Sequence, residues 1–189
     1  MPKQHPNIGE LIAQCLAGQR LAQRQLYEQH LPYALTVTRR FGVASRSTAD
    51  VVQEIFTEVF SHLAHFDAAK GSFLTWLRTI AVRKTIDFLR KRENLNFTEL
   101  VAILPERAPT EELQLDHIPT DELLLAMNNL PAGFRTIFNL YAVDGYKHTE
   151  IAEMLGISAS ASRSQYARAR ERLQKHLQAT KKKMTHDYE

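Results

Sequence analysis

Cysteine is nearly absent from this 189-residue chain. Cys15 stands alone, so it can form neither an internal disulfide nor a thiolate cluster, and a reducing cytosol suits it. No stretch approaches the roughly 18 uninterrupted apolar residues of a membrane span. The first residues lack a basic flank leading into an apolar signal core, so a soluble, cytoplasmic protein without stable membrane insertion is expected. No glycine-rich loop is present to cradle phosphate. His62 and His65 lack the Cys or Glu partners of a zinc site, and Asp144, His148 and the nearby serines form no assignable nucleophilic triad. The sequence therefore offers no catalytic residue, metal ligand or cofactor site, and binding becomes the leading class of function.

What is present is charge, unevenly placed, on a normal apolar background. Hydrophobic residues make up 44% of the chain, enough for one sizeable core or two small ones. A net charge of +3 and a pI of ≈ 9.0 favour an anionic partner, with nucleic acid first and an anionic membrane surface second. The apolar period is helical almost everywhere and strand alternation is missing, which predicts an all-α protein. From Glu93 to Thr120 that period weakens. Pro105, Pro109 and Pro119 fall there with the acids Glu93, Glu99, Glu106, Glu111, Glu112 and Asp116, and so long a stretch without regular structure argues for a domain boundary. The expected layout is a first helical domain over residues 7–92, a flexible acidic linker over 93–119, a second helical domain over 120–178 and a basic flexible tail over 179–189.

In the first block, Asn7 with Glu10 suggests a capped helix ended by Gly18. Pro32 suits the first turn of a new helix running to Gly42, and Ser47 or Thr48 a cap for the next. That next helix places Val52, Ile55, Phe56, Val59, Phe60 and Leu63 on one face. Asp50, Gln53 and Glu54 lie on the other, and the acidic patch continues to Glu58. It reads equally as solvated surface or as a protein docking site. The helix over 72–92 buries an arc of Leu77, Ala81, Val82, Thr85, Ile86 and Leu89 and carries Arg83, Lys84, Asp87, Arg90 and Lys91 opposite, with Trp76 and Ile80 at its upstream end. Cations beside an aromatic suit opened DNA, although Trp76 in the core is the plainer reading.

The second block holds the most specific pattern, a helix-turn-helix. It begins with a helix over Asp121 to Asn129 and another from Pro131 to Tyr141. In His148 to Ser158, small Ala152 admits a second helix, Gly156 permits a left-handed turn, and Ile151, Leu155 and Ile157 face the joint. The helix from Ser158 to Leu177 puts Tyr166, Ala169, Leu173 and Leu177 on one stripe, with Ser164, Arg168, Arg172 and Lys175 opposite and Arg163 and Arg170 on its flanks. Residues Ala159 to Arg163 would enter a major groove first.

Several passages in order resemble the sigma-70 family, and its extracytoplasmic-function (ECF) subfamily in particular. Asp50-Val-Val-Gln-Glu-Ile-Phe56 is similar to that family's polymerase-docking motif. Phe73-Leu-Thr-Trp-Leu-Arg-Thr-Ile-Ala81 and Asp87-Phe-Leu-Arg-Lys-Arg92 resemble its DNA-melting region. Leu130-Pro131, Arg135, Phe138, Leu140, Gly145, Glu150-Ile-Ala152, Leu155-Gly156 and Ser158 resemble its fourth region. The resemblance implies a non-enzymatic sigma factor that binds core RNA polymerase and promoter DNA and is held in check by an anti-sigma factor. Asp50, Gln53 and Glu54 would bind polymerase; Arg83, Lys84, Arg90 and Lys91 the minus-10 DNA; Arg163, Ser164, Arg168 and Arg170 the minus-35 DNA. It implies a cytoplasmic protein, nucleoid-associated within holoenzyme, which an anti-sigma factor could recruit to the membrane. The residues taken alone also allow a stand-alone two-domain helix-turn-helix regulator. Where the family often has Gly-Thr-Val-Lys-Ser-Arg-Leu, this chain has Ser160-Ala-Ser-Arg-Ser-Gln-Tyr166. Ser162 in place of a buried valine is expected to bond backbone or stay partly solvated, and Gln165 to remove a phosphate-binding charge.

Overall fold

The structure, a computed structural model, describes residues 7–92, 97 and 120–186, and among these every regular element is helical. The linker expected over 93–119 lies outside the described residues, Phe97 apart. Two units result, one drawn from the first four helices and ending at Leu89, the other containing the last four.

Helix α1 (Ile8–Leu16) starts where the Asn7 side chain accepts the Gly9 N–H at 3.2 Å, and the chain turns at Gly18, whose φ is +77°. Leu11, Ile12 and Cys15 are its buried face. Helix α2 (Arg20–Arg40) runs unbroken through Pro32, where the sequence suggested a start. An interior proline costs about 3 kcal/mol. Here Ala22 and Leu26 upstream and Ala34, Val37 and Thr38 downstream are all buried, so core packing on both sides of Pro32 holds one helix together. Pro32 and Glu28 both lie on the exposed side, where water can take the carbonyl left without its N–H.

Helix α3 (Ser45–His62) begins earlier than either expected cap. Thr48 is 4% exposed and its hydroxyl donates back to the Ala44 carbonyl at 3.2 Å, so it serves the core and leaves Ala44 without side-chain help. Short 3-10 turns at Leu63–His65 and Ala68–Lys70 lead to α4 (Phe73–Arg92), whose first turn is capped by Ser72 Oγ accepting the Thr75 N–H at 3.2 Å. All six residues of the predicted α4 arc are buried. Thr85 fits among them because its hydroxyl donates to the Ala81 carbonyl at 2.7 Å.

In the second unit α5 (Thr120–Asn128) precedes α6 (Ala132–Phe138), which Pro131 opens. The helix does not continue regularly to Tyr141: Asn139–Val143 widens into a π turn, closed by the Asp144 N–H on the Asn139 carbonyl at 2.9 Å. Helices α7 (His148–Leu155) and α8 (Ala159–His186) meet across Gly156, which adopts φ 68° and ψ 35°. Ser158 Oγ accepts the Ala161 N–H at 3.0 Å and caps α8. Ile151 and Leu155 are buried at the joint, with Ile157 half-buried. The core of this unit joins Met127, Leu130, Phe134 and Phe138 to Ala169, Leu173 and Leu177 of α8. Where a flexible tail was expected from residue 179, α8 stays helical through His186. The chain has no glycine or proline after Gly156, and its end is rich in strong helix formers.

Leu173 is fully buried in that core. Leu173→Ala should cost about 2–5 kcal/mol in denaturant unfolding. A loss well under about 1 kcal/mol would mean the site is not packed as described.

Candidate functional site

On α3 the apolar and acidic faces separate cleanly. Val51, Val52, Ile55 and Phe56 are buried while Asp50, Gln53 and Glu54 are exposed, so the two carboxylates and the amide form one outward patch. Glu58, read as its continuation, has a different role. Its carboxylate takes Lys84 Nζ of α4 at 2.8 Å and lies 3.4 Å from His62 Nδ1, bracing α3 to α4. The hydrogen bond from Lys84 holds the Glu58 carboxyl below its ordinary 4.5, partial desolvation opposing, with the Lys84 and His62 charges adding to the lowering.

The cationic arc of α4 is thereby thinned. Arg83 and Lys91 are exposed and Arg90 is half-buried, but the Lys84 ammonium is engaged with Glu58. At the upstream end Trp76 is half-buried and packs its ring 5.7 Å from Phe66 and 5.6 Å from Phe73, which supports the plainer, structural reading of that side chain. Its remaining edge borders a recess of ≈ 320 Å³ with Phe66, Lys70, Ser72, Thr75 and Thr79. Sequence reasoning missed these polar wall residues. Ser72, Thr75, Trp76 and Thr79 follow the i, i+3, i+4 and i+7 spacing of one helix face, which was the available signal.

Of the four α8 residues singled out, Arg163 is exposed and Arg168 is half-buried, whereas Ser164 and Arg170 are each 8% exposed. The Arg170 guanidinium lies 5.7 Å from the Tyr166 ring. Gln165 is 4% exposed, so the position where the family often has arginine does not face solvent here.

Ser162 is fully buried, and the partner of its hydroxyl is a side chain rather than the backbone or solvent that the sequence led us to expect. It pairs with His148 Nδ1 at 2.9 Å. Proximity across the helix-turn-helix joint explains this, since His148 opens α7 and Ser162 lies in the first turn of α8. The imidazole also stacks on Tyr141 at 4.2 Å and 11°, and Tyr166 packs 4.5 Å from Tyr141. Burial pushes the His148 pKa below its ordinary 6.5, and the Arg163 charge adds to the push.

Replacing Lys84 with methionine should return the Glu58 pKa upward toward 4.5, readable by carboxyl NMR titration. An unmoved titration would show that Lys84 does not hold that carboxylate.

Comparison with known proteins finds two family matches, one in each half of the chain. The family description Sigma-70 region 2 matches residues 26–94, and Sigma-70, region 4 matches residues 120–173. RNA polymerase sigma factor NccH of Alcaligenes xylosoxydans xylosoxydans is 32% identical over 187 residues, covering 93% of this chain and 97% of its own. ECF RNA polymerase sigma factor SigW of Bacillus subtilis is 31% identical over 144 residues, covering 68% and 74%. Among solved structures, the sigma factor RpoE in complex with the anti-sigma factor NepR from Bartonella quintana shares the fold at a TM-score of 0.51, with 21% identity over 82% of this chain and 96% of that one. No helix among the described residues is long and apolar enough to cross a membrane.

Proposed function

The chain belongs to the ECF group of the sigma-70 family, the promoter-recognition sigma factors, and on that premise we propose a division of labour between its two units. The first docks on core RNA polymerase and holds opened minus-10 DNA; the second grips minus-35 duplex. The observation that carries this reading is the pair of outward faces on α3 and α4. Asp50, Gln53 and Glu54 stand exposed on α3, while Arg83 and Lys91 stand exposed on α4. One face suits a protein and the other a polyanion.

Asp50, Gln53 and Glu54 are the polymerase contacts in this account. Arg83 and Lys91 meet the minus-10 backbone, and Lys84 and Arg90 join them only by exchanging Glu58 and the Met154 carbonyl, respectively, for phosphate. In the second unit, α7 crosses the backbone and the first turn of α8 enters the major groove, which puts exposed Arg163 within reach of a base edge. Arg168 suits a phosphate. Ser164 and Arg170 become DNA contacts once their side chains are uncovered.

Sigma factors generally work by binding, and the bond-making step is assigned to polymerase. The acidic residues of 93–119 suit channels otherwise used by nucleic acid. An anti-sigma factor covering the docking faces, in the cytoplasm or at the membrane, completes the partner set; the complex of RpoE with NepR is the precedent for that chemistry.

The direct test is run-off transcription with purified core enzyme and genomic promoter fragments. Specific starts should appear on adding the folded chain. Output no greater than core alone would overturn the reading, and tight binding to a palindrome without polymerase would favour a stand-alone regulator. Asp50→Lys with Glu54→Lys should weaken core binding by about tenfold or more while leaving the unfolding transition unchanged. Equal core affinity would reassign the patch.

A further inference from the structure

The family often has apolar valine and leucine at the positions of Ser162 and Tyr166; here both side chains carry hydroxyls, and His148 lies beside both. Ser162 is fully buried, so its hydroxyl requires a partner, and the partner comes from the other helix of the joint. We propose that His148 is a positioning residue for upstream promoter recognition: bonded to Ser162, it seats α8 against α7, and a positive charge on this half-buried ring, close to cationic Arg163, unseats the DNA-reading helix. The inference rests on α8 being the minus-35 reader.

The surroundings of the ring set the sign. From α8 it faces Ser162, the Tyr166 ring at 5.8 Å and the Arg163 charge; from the π turn it faces Tyr141. On its own turn are Lys147 and Glu150, and the Glu150 carboxylate is engaged with the Lys147 N–H at 2.7 Å. Burial disfavours an imidazolium at this place, and exposed Arg163, one residue from Ser162, adds repulsion. The neutral ring is thus the form the joint holds. With the folded pKa below 6.5, the unfolded chain binds the proton more readily. Stability is full above about pH 6.5 and falls as pH drops from there through the folded pKa.

The test compares holoenzymes on one promoter fragment at fixed salt, at about pH 7.5 and about pH 5.5. Wild type should lose upstream contact on acidification by roughly three- to tenfold more than His148→Gln, whose amide bonds Ser162 without titrating. His148→Ala and Ser162→Ala should each weaken binding at neutral pH, and the double variant no more than the worse single. The same cycle read by thermal unfolding of the whole chain should be non-additive too. Matched pH profiles for wild type and H148Q, or additive effects in the cycle, would overturn the proposal. A holoenzyme without upstream contact at either pH would refute the minus-35 reading instead, so the two failures are distinguishable.

Discussion

On α3 and α4 the arc committed to the core decides which charged residues face outward. On α4 the fully or nearly fully buried Leu77, Ala81, Val82, Ile86 and Leu89 fix the helix about its axis. Burial of one large aliphatic side chain contributes about 1.5–3 kcal/mol, against about 0–1 kcal/mol for an exposed ion pair. The charges therefore do not choose the orientation; they are carried outward by it. The same reasoning turns Asp50, Gln53 and Glu54 outward on α3, because Val52, Ile55 and Phe56 are committed inward.

Much of this was legible from the period of the sequence. The α4 arc is buried residue for residue, and Gly156 makes the left-handed turn its position called for. Periodicity failed wherever the answer lay on a neighbouring element. It could assign Glu58 to a polar face but could not reveal Lys84 opposite it, and it gave Ser162 a buried position without its histidine partner. Ser164, placed opposite the apolar stripe by its period, and Arg170, placed on its flank, are both covered. Local rules misled in a second way at Pro32 and Thr48, where packing overrode the usual start signals. The π turn after Phe138 adds a residue that no regular period encodes.

The joint between α7 and α8 is held by polar and aromatic side chains. An apolar seat tolerates any pH, whereas a seat made from His148, Ser162, Tyr141 and Tyr166 has orientation and proton dependence built into it. Such a seat fixes the helix by specific bonds where a valine would fix it by volume.

In the proposed account, neither unit selects a promoter unaided; two partial readers held on one polymerase do so together, through the separation of the elements they meet. The most direct measurement is run-off transcription by holoenzyme on templates whose spacer between the upstream and minus-10 elements is lengthened by about 5 base pairs, half a helical turn. Specific initiation should collapse although both elements remain intact. Undiminished initiation from the same start would contradict the account.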